Sequence, residues 1–164
     1  MKLPRRAVLT PKLPARAVTA NVIRLVPPGI LTAHDRIALG RPSSWADVFA
    51  RHDLCFLTFI ERHGKNGGVG YGLLRDFGLK DGAVASSVGH DAHNVVLAGT
   101  NEADLQLALA TIKRLRGGVC VVRGGTVLAS VALPIAGLLS DRRAPVVAKE
   151  TTALKRAWTK LGCK

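Results

Sequence analysis

Aromatic and acidic residues are scarce in this chain. Phe, Trp and Tyr make up 4% of its 164 residues, so a core has to be built from Val, Leu, Ile and Ala. The 24 basic residues outnumber the 11 acidic ones, and the first acid is Asp35. No stretch approaches the roughly 18 uncharged apolar residues of a membrane-spanning helix, so we expect no membrane span. With 48% hydrophobic and 21% charged residues, the composition indicates one basic globular domain.

The cysteines and the missing motifs exclude several classes of metal site and of enzyme. The three cysteines, Cys55, Cys120 and Cys163, lie far apart without a CxxC pair, which argues against structural zinc. An odd cysteine count and no signal peptide favour a reducing compartment, so we expect a cytoplasmic location. P-loop, GxGxxG, GxSxG and HExxH motifs are missing. The HxE and PCxxC motifs of the cytidine-deaminase-like zinc enzymes are missing as well.

Positive charge is concentrated at the two ends of the sequence. The formal net charge is +13, a value that can favour phosphate binding. However, no aromatic residues alternate with the basic ones, and no zinc-finger, RRM or KH pattern occurs. We therefore expect a basic surface, and the pattern argues against nucleic-acid binding. Residues 1–19, which contain three prolines, are predicted to form an irregular basic leader, and residues 20–164 the domain itself.

Hydrophobic periodicity predicts several strands and two main helices. Leu54 to Ile60 is a nearly continuous apolar run, typical of a strand buried on both faces. Residues 101–115 have apolar side chains at helical spacing, and Gly124-Gly125 between two strand-like runs predicts a hairpin. We further predict strands at 21–26, 82–88 and 94–98, a strand or short helix at 69–77, a helical turn at 45–50, and a helix at 145–161.

These elements predict an α+β or mixed α/β fold. Its expected architecture is a layered mixed β-sheet with one central helix and one C-terminal helix. Periodicity alone does not order the strands.

The densest polar cluster lies between two of the predicted strands. It reads SSVGHDAHN and contains Ser86, Ser87, His90, Asp91, His93 and Asn94. Two histidines and a carboxylate within four residues can move protons or bind a metal. The alternative is a hydrogen-bonded turn in which Asp91 and Asn94 satisfy backbone amides.

Two further polar segments follow apolar runs. Glu61, Arg62 and His63 begin a Gly-rich loop directly after the predicted buried strand, where basic side chains could steer a substrate. The alternative for this segment is a solvated loop. Leu133 to Asp141 contains Pro134 and Gly137, which predict a fixed turn.

In this order, the segments resemble the adenine deaminase family of the amidohydrolase superfamily. The matching pieces cover roughly residues 20–142 and include IERHGKN at 60–66, GLKDGAVASSVGHDAHN at 78–94, VLAGTNEAD at 96–104 and LPIAGLLSD at 133–141. The resemblance implies hydrolysis of adenine to hypoxanthine and ammonia at an iron or manganese centre. It also implies that most metal ligands belong to a barrel domain that precedes this region in the family.

The resemblance assigns roles to individual side chains. His90 and Asp91 are expected to hydrogen-bond around a metal-bound water or the substrate, while His93 and Asn94 orient that loop. Glu61, Arg62, His63, Ser86 and Ser87 are the expected substrate-binding residues. No His-x-His pair of the family's barrel is present, so we expect no complete metal site in this chain and no deaminase activity from it alone.

Three interpretations of the chain stay open on sequence grounds. It is a C-terminal piece of a deaminase, one subunit of a split enzyme that pairs with a barrel subunit, or a non-catalytic basic module for a nucleotide, nucleic acid or protein. A homo-oligomer is compatible with all three.

Overall fold

The computed structural model of this protein describes residues 3–4, 7–26, 28, 31–89 and 91–163. Within these residues the chain forms one mixed sheet of eight strands, in the order β2-β1-β4-β3-β6-β5-β7-β8. Every neighbouring pair is antiparallel except β1 and β4, which are parallel. The strands are β1 Val18–Val26, β2 Leu31–Gly40, β3 Leu54–Ile60, β4 Val69–Arg75, β5 Ala83–Ser86, β6 Val95–Gly99, β7 Gly118–Arg123 and β8 Thr126–Ala132.

Three helices accompany this sheet in the described residues: α1 Trp45–His52, α2 Glu102–Leu115 and α3 Ala144–Lys160. The predicted α+β fold with a central and a C-terminal helix is therefore confirmed. The predicted strand at 54–60 coincides with β3, and Gly124 and Gly125 connect β7 to β8 as expected.

Two elements differ from the expectations. Strand β2 was not predicted, because its sequence LTAHDRIALG interrupts the apolar pattern with charged residues that an edge strand exposes to solvent. The segment predicted as a helical turn is the full helix α1, which begins at the cap Ser44, whose side chain accepts a hydrogen bond from Asp47 N at 3.1 Å.

The side chains of the central strand β3 alternate between two hydrophobic layers. On one face, Leu54 and Phe56 belong to a core cluster that includes the buried apolar side chains of α2. On the other face, Cys55 and Leu57 belong to a second cluster that includes Ala157 of α3. The sheet is thus covered from both sides, as an all-buried strand requires. All three cysteines are buried and unbridged.

Part of the predicted leader packs against α2. Leu9 is fully buried, and its N–H lies 3.0 Å from the Glu102 carboxylate. Thr58 of β3 donates its hydroxyl to the Leu9 carbonyl at 2.7 Å. Val18 begins β1, two residues before the predicted domain boundary. No helix among the described residues is both long and apolar enough to cross a membrane.

A buried carboxylate joins α2 to the β7–β8 turn. Asp104 is 2% exposed and accepts hydrogen bonds from Gly124 N at 3.1 Å, Gly125 N at 2.8 Å and the Asn101 side chain at 3.0 Å. Burial raises the pKa of Asp104, but the hydrogen bonds from Asn101, Gly125 and Gly124 outweigh it and hold that pKa below its ordinary value. The charged carboxylate of Asp104 therefore holds the β7–β8 turn in contact with α2.

We expect Asp104→Asn to lower the free energy of unfolding at pH 7 by about 1–3 kcal/mol, because the amide weakens these bonds. A carboxyl group with a depressed pKa in the folded chain stabilises it above the unfolded value of about 3.9, and this stabilisation is lost as the pH falls through the folded pKa. Urea unfolding should thus show the difference from the parent chain shrinking below roughly pH 4.

The matched control is Asp81→Asn. The Asp81 carboxylate forms an exposed ion pair with Arg123 at 3.0 Å, so its loss should cost no more than about 1 kcal/mol. Equal decreases in the free energy of unfolding in the two variants would contradict the role given to Asp104.

Candidate functional site

The two polar clusters of the sequence meet in one cleft. Strand β3 pairs antiparallel with β6, and Ile60 at the end of β3 lies opposite Val95 at the start of β6. The residues that follow β3 therefore lie beside the residues that precede β6. The polar cleft between them has a volume of about 500 Å³ and is lined by Glu61, His63, Lys65, Asp91, Ala92, His93 and Asn94.

Glu61 organises the Gly-rich side of the polar cleft. Its carboxylate accepts hydrogen bonds from the backbone N–H groups of His63, Lys65, Asn66 and Gly67, the last at 3.1 Å. Burial raises the pKa of Glu61, but the backbone N–H groups, led by that of Gly67, lower it more, so the pKa lies below its ordinary value. The carboxylate is thus committed to shaping the loop and stays charged at neutral pH.

The opposite side of the polar cleft is a tight turn formed by Gly89 and residues 91–94, which we call the Gly89–Asn94 turn. His93 N donates to Gly89 O at 2.9 Å, and both Asp91 (φ 62°) and His93 (φ 47°) adopt left-handed backbone conformations. Residues other than glycine adopt this region rarely, and strain of this kind concentrates at functional sites. His90 of the predicted cluster lies outside the described residues.

Polar atoms of both sides face one another across the polar cleft. The ring Nε2 of His63 lies 2.9 Å from Ala92 O, a distance at which the Nε2–H tautomer donates. Among the described residues, His93 Nδ1 and Asn94 Oδ1 are buried and have no hydrogen-bond partner. Buried polar atoms are normally paired, so these two atoms are candidates for hydrogen bonds to a ligand.

Arg62 lies beneath the polar cleft, and it is 8% exposed. Its Nε donates to the carbonyl of His93, and its Nη2 donates to Ala136 O at 2.8 Å. Burial lowers the pKa of Arg62 below its ordinary value. The guanidinium therefore ties the Gly89–Asn94 turn to the loop that contains Ala136.

Ser87 and Ser86 have different environments from the cleft residues. Ser87 is fully buried, and its hydroxyl donates to Gly137 O at 2.7 Å and accepts from Gly118 N at 2.7 Å. Ser86 lines a separate apolar groove of about 320 Å³ beside Trp158. Of the predicted site residues that the structure describes, five line the polar cleft, namely Glu61, His63, Asp91, His93 and Asn94. The predicted roles of all nine residues stay predictions.

Lys65 also lines the polar cleft, because the carboxylate of Glu61 folds the Gly-rich loop over it. Lys65 belongs to the segment whose basic side chains were expected to steer a substrate, but it was not among the predicted substrate-binding residues. Ser140 and Asp141 of the third segment do not line the polar cleft.

Among the described residues, which do not include His90, no three His, Cys, Asp or Glu side chains are close enough together to hold a metal ion. The arrangement can still bind and orient a polar ligand, because it combines imidazole, carboxylate, amide and ammonium groups in one cleft.

Gly137 makes room for Arg62. It has a φ of 74°, and a Cβ built on it would lie 2.8 Å from Arg62 Nη1. We expect Gly137→Ala to displace the guanidinium and to destabilise the chain by about 1–3 kcal/mol beyond the left-handed strain alone. Thermal unfolding, together with amide hydrogen exchange at His93, checks this.

Gly124→Ala is the matched control, because Gly124 also has a positive φ of 55° but no neighbouring atom within 4 Å of the added Cβ. It should show the backbone strain without faster exchange at His93. Equal destabilisation and equal hydrogen exchange at His93 in the two variants would mean that the contact between Gly137 and Arg62 does not contribute to stability.

Comparison with known proteins now defines the class of this chain. Residues 30–164 match the family described as the adenine deaminase C-terminal domain. The chain belongs to that family.

Named relatives support the same conclusion. The chain is 57% identical over 164 residues to adenine deaminase 2 of Bradyrhizobium sp. strain ORS 278. The match covers 99% of this chain and 27% of the relative. It is 42% identical over 147 residues to the adenine deaminase of Moorella thermoacetica, covering 90% of this chain and 25% of that protein. The chain thus spans about a quarter of the length of these relatives.

Proposed function

We propose that this chain contributes the polar cleft to the active site of an adenine deaminase, a hydrolase that converts adenine and water to hypoxanthine and ammonia. The observation that carries the proposal is the meeting of residues 61–65 and 91–94 in one cleft. The family match and the names of the relatives supply the reaction. The location that we propose is the cytoplasm, in agreement with three unbridged cysteines.

Hydrolytic deamination needs groups that hold and move protons. The attacking water gives up a proton, and the departing amino group must gain one. We assign Asp91 to hydrogen bonding with the attacking water or the substrate, and His63 and His93 to proton movement beside it. The Asn94 amide can donate to and accept from the edge of a purine ring. Glu61 is a positioning residue, since its carboxylate is occupied by backbone N–H groups.

The family resemblance implies iron or manganese, and a bound metal would supply hydroxide at neutral pH. Because the described residues do not form a metal centre, we propose that the ligands come from the part of a deaminase that this chain does not match. The contribution of this chain is then to bind and orient the substrate, to exclude water and to handle protons.

A chimeric enzyme tests the proposal. In adenine deaminase 2 of Bradyrhizobium, the segment matching this chain would be replaced by the chain itself, which is 57% identical to it. We expect the chimera to convert adenine to hypoxanthine, followed as a loss of adenine absorbance in the presence of manganese or iron(II). The isolated chain should show no turnover under the same conditions.

We expect Asp91→Asn in the chimera to lower kcat by about 10²–10³-fold, because a neutral amide accepts a hydrogen bond from the attacking water or the substrate less strongly than a charged carboxylate does. Asp81→Asn, whose carboxylate forms the exposed ion pair with Arg123, is the control and should leave turnover unchanged. A folded chimera that retains full activity with Asp91→Asn would overturn the role of the cleft. Turnover of adenine by the isolated chain would overturn the proposal that the metal ligands come from another part of the enzyme.

A further inference from the structure

A short loop beside the polar cleft presents two aliphatic side chains to solvent. Ile135 and Leu139 face each other in an isolated antiparallel bridge, with hydrogen bonds of 3.1 Å in both directions. Their side chains are 49% and 63% exposed. We refer to residues 135–139 as the aliphatic loop. Ile135 and Leu139 are two of the large hydrophobic residues that the described part of the chain exposes, and a partner that covered both would remove apolar surface from water.

Buried polar side chains fix the aliphatic loop from below. Ser87 donates to Gly137 O at 2.7 Å, and Arg62 donates to Ala136 O at 2.8 Å. Leu133 N donates to Gly117 O at 3.0 Å just before the loop begins. The loop therefore holds Ile135 and Leu139 in a fixed position, so little conformational entropy is lost when a partner covers them.

The aliphatic loop is also linked to the polar cleft through one side chain. The guanidinium of Arg62 binds Ala136 O with one nitrogen and the carbonyl of His93 with another. A partner that contacts the aliphatic loop would thus also stabilise the position of the Gly89–Asn94 turn, because Arg62 is hydrogen-bonded to both. A contact surface at this place is adjacent to the site that the partner would have to complete.

We infer that the aliphatic loop is the docking element for the part of a full-length adenine deaminase that lies outside this chain. The inference rests on the proposed function. We assign this occupant because the match covers only 27% of the Bradyrhizobium relative, so most of that polypeptide lies outside the match and could cover a surface beside the candidate site. The partner surface has to be an apolar pocket that takes an Ile and a Leu side chain.

Thiol labelling tests the docking without depending on activity. Leu139→Cys would be introduced into the isolated chain and into the chimera described above, and labelled with a maleimide at pH 7. The three native cysteines are buried, and burial raises the pKa of Cys55 and Cys120 to about 12 and that of Cys163 to about 11, so they should not compete. Peptide mass spectrometry identifies the labelled thiol.

We expect labelling of Leu139→Cys to be at least roughly tenfold slower in the chimera than in the isolated chain. Leu128→Cys is the matched control, because Leu128 is 43% exposed on β8, and it should react equally fast in both. Ile135→Cys is the second variant should Leu139→Cys fail to fold, and it should be protected in the same way.

Equal labelling rates in the chimera and the isolated chain would overturn the docking inference, whether or not the chimera deaminates adenine. Protection already present in the isolated chain, and lost on dilution, would also overturn it, because a second copy would then be the occupant. A protected but inactive chimera would refute the proposed function and leave the docking surface standing.

Discussion

The burial of β3 on both faces is the constraint on which the rest of the structure depends. Six of its seven residues are buried, so the strand requires a covering layer on each side of the sheet. One layer is supplied by α1, α2 and Leu9, and the other by α3. Because β3 also lies between β4 and β6, its end is fixed beside the start of β6. The register of β3 against β6 therefore determines where the polar cleft forms.

The polar cleft combines a relaxed side with a strained one. On the Gly-rich side, one carboxylate satisfies four backbone N–H groups, which is an efficient way to order a loop that lacks regular structure. On the other side, Asp91 and His93 have positive φ values, and His93 Nδ1 and Asn94 Oδ1 are buried with no hydrogen-bond partner among the described residues. The pairing of β3 with β6 thus brings a loop ordered by one carboxylate next to a turn with uncommon backbone conformations.

Arg62 and Ser87 show how motif residues serve a site without lining it. Both lie inside the segments that resemble the adenine deaminase family, and both bind backbone carbonyls of the 133–139 region. Breaking such a contact leaves a buried polar group without its partner, which is more costly than losing an exposed ion pair. Arg62 connects the cleft to the surface where we place docking, and Ser87 fixes that surface from below.

The sequence by itself determined the elements whose signals are local. The apolar run of β3, the capped amphipathic stripe of α2 and the Gly124-Gly125 turn each depend on residues close to one another along the chain. The same holds for the family resemblance, which depends on contiguous motifs. Edge strand β2, the burial of Leu9 and the placement of Arg62 under the cleft were decided by tertiary structure alone. Contacts between residues as distant as Arg62 and Ala136 depend on strand order, and no local periodicity encodes that order.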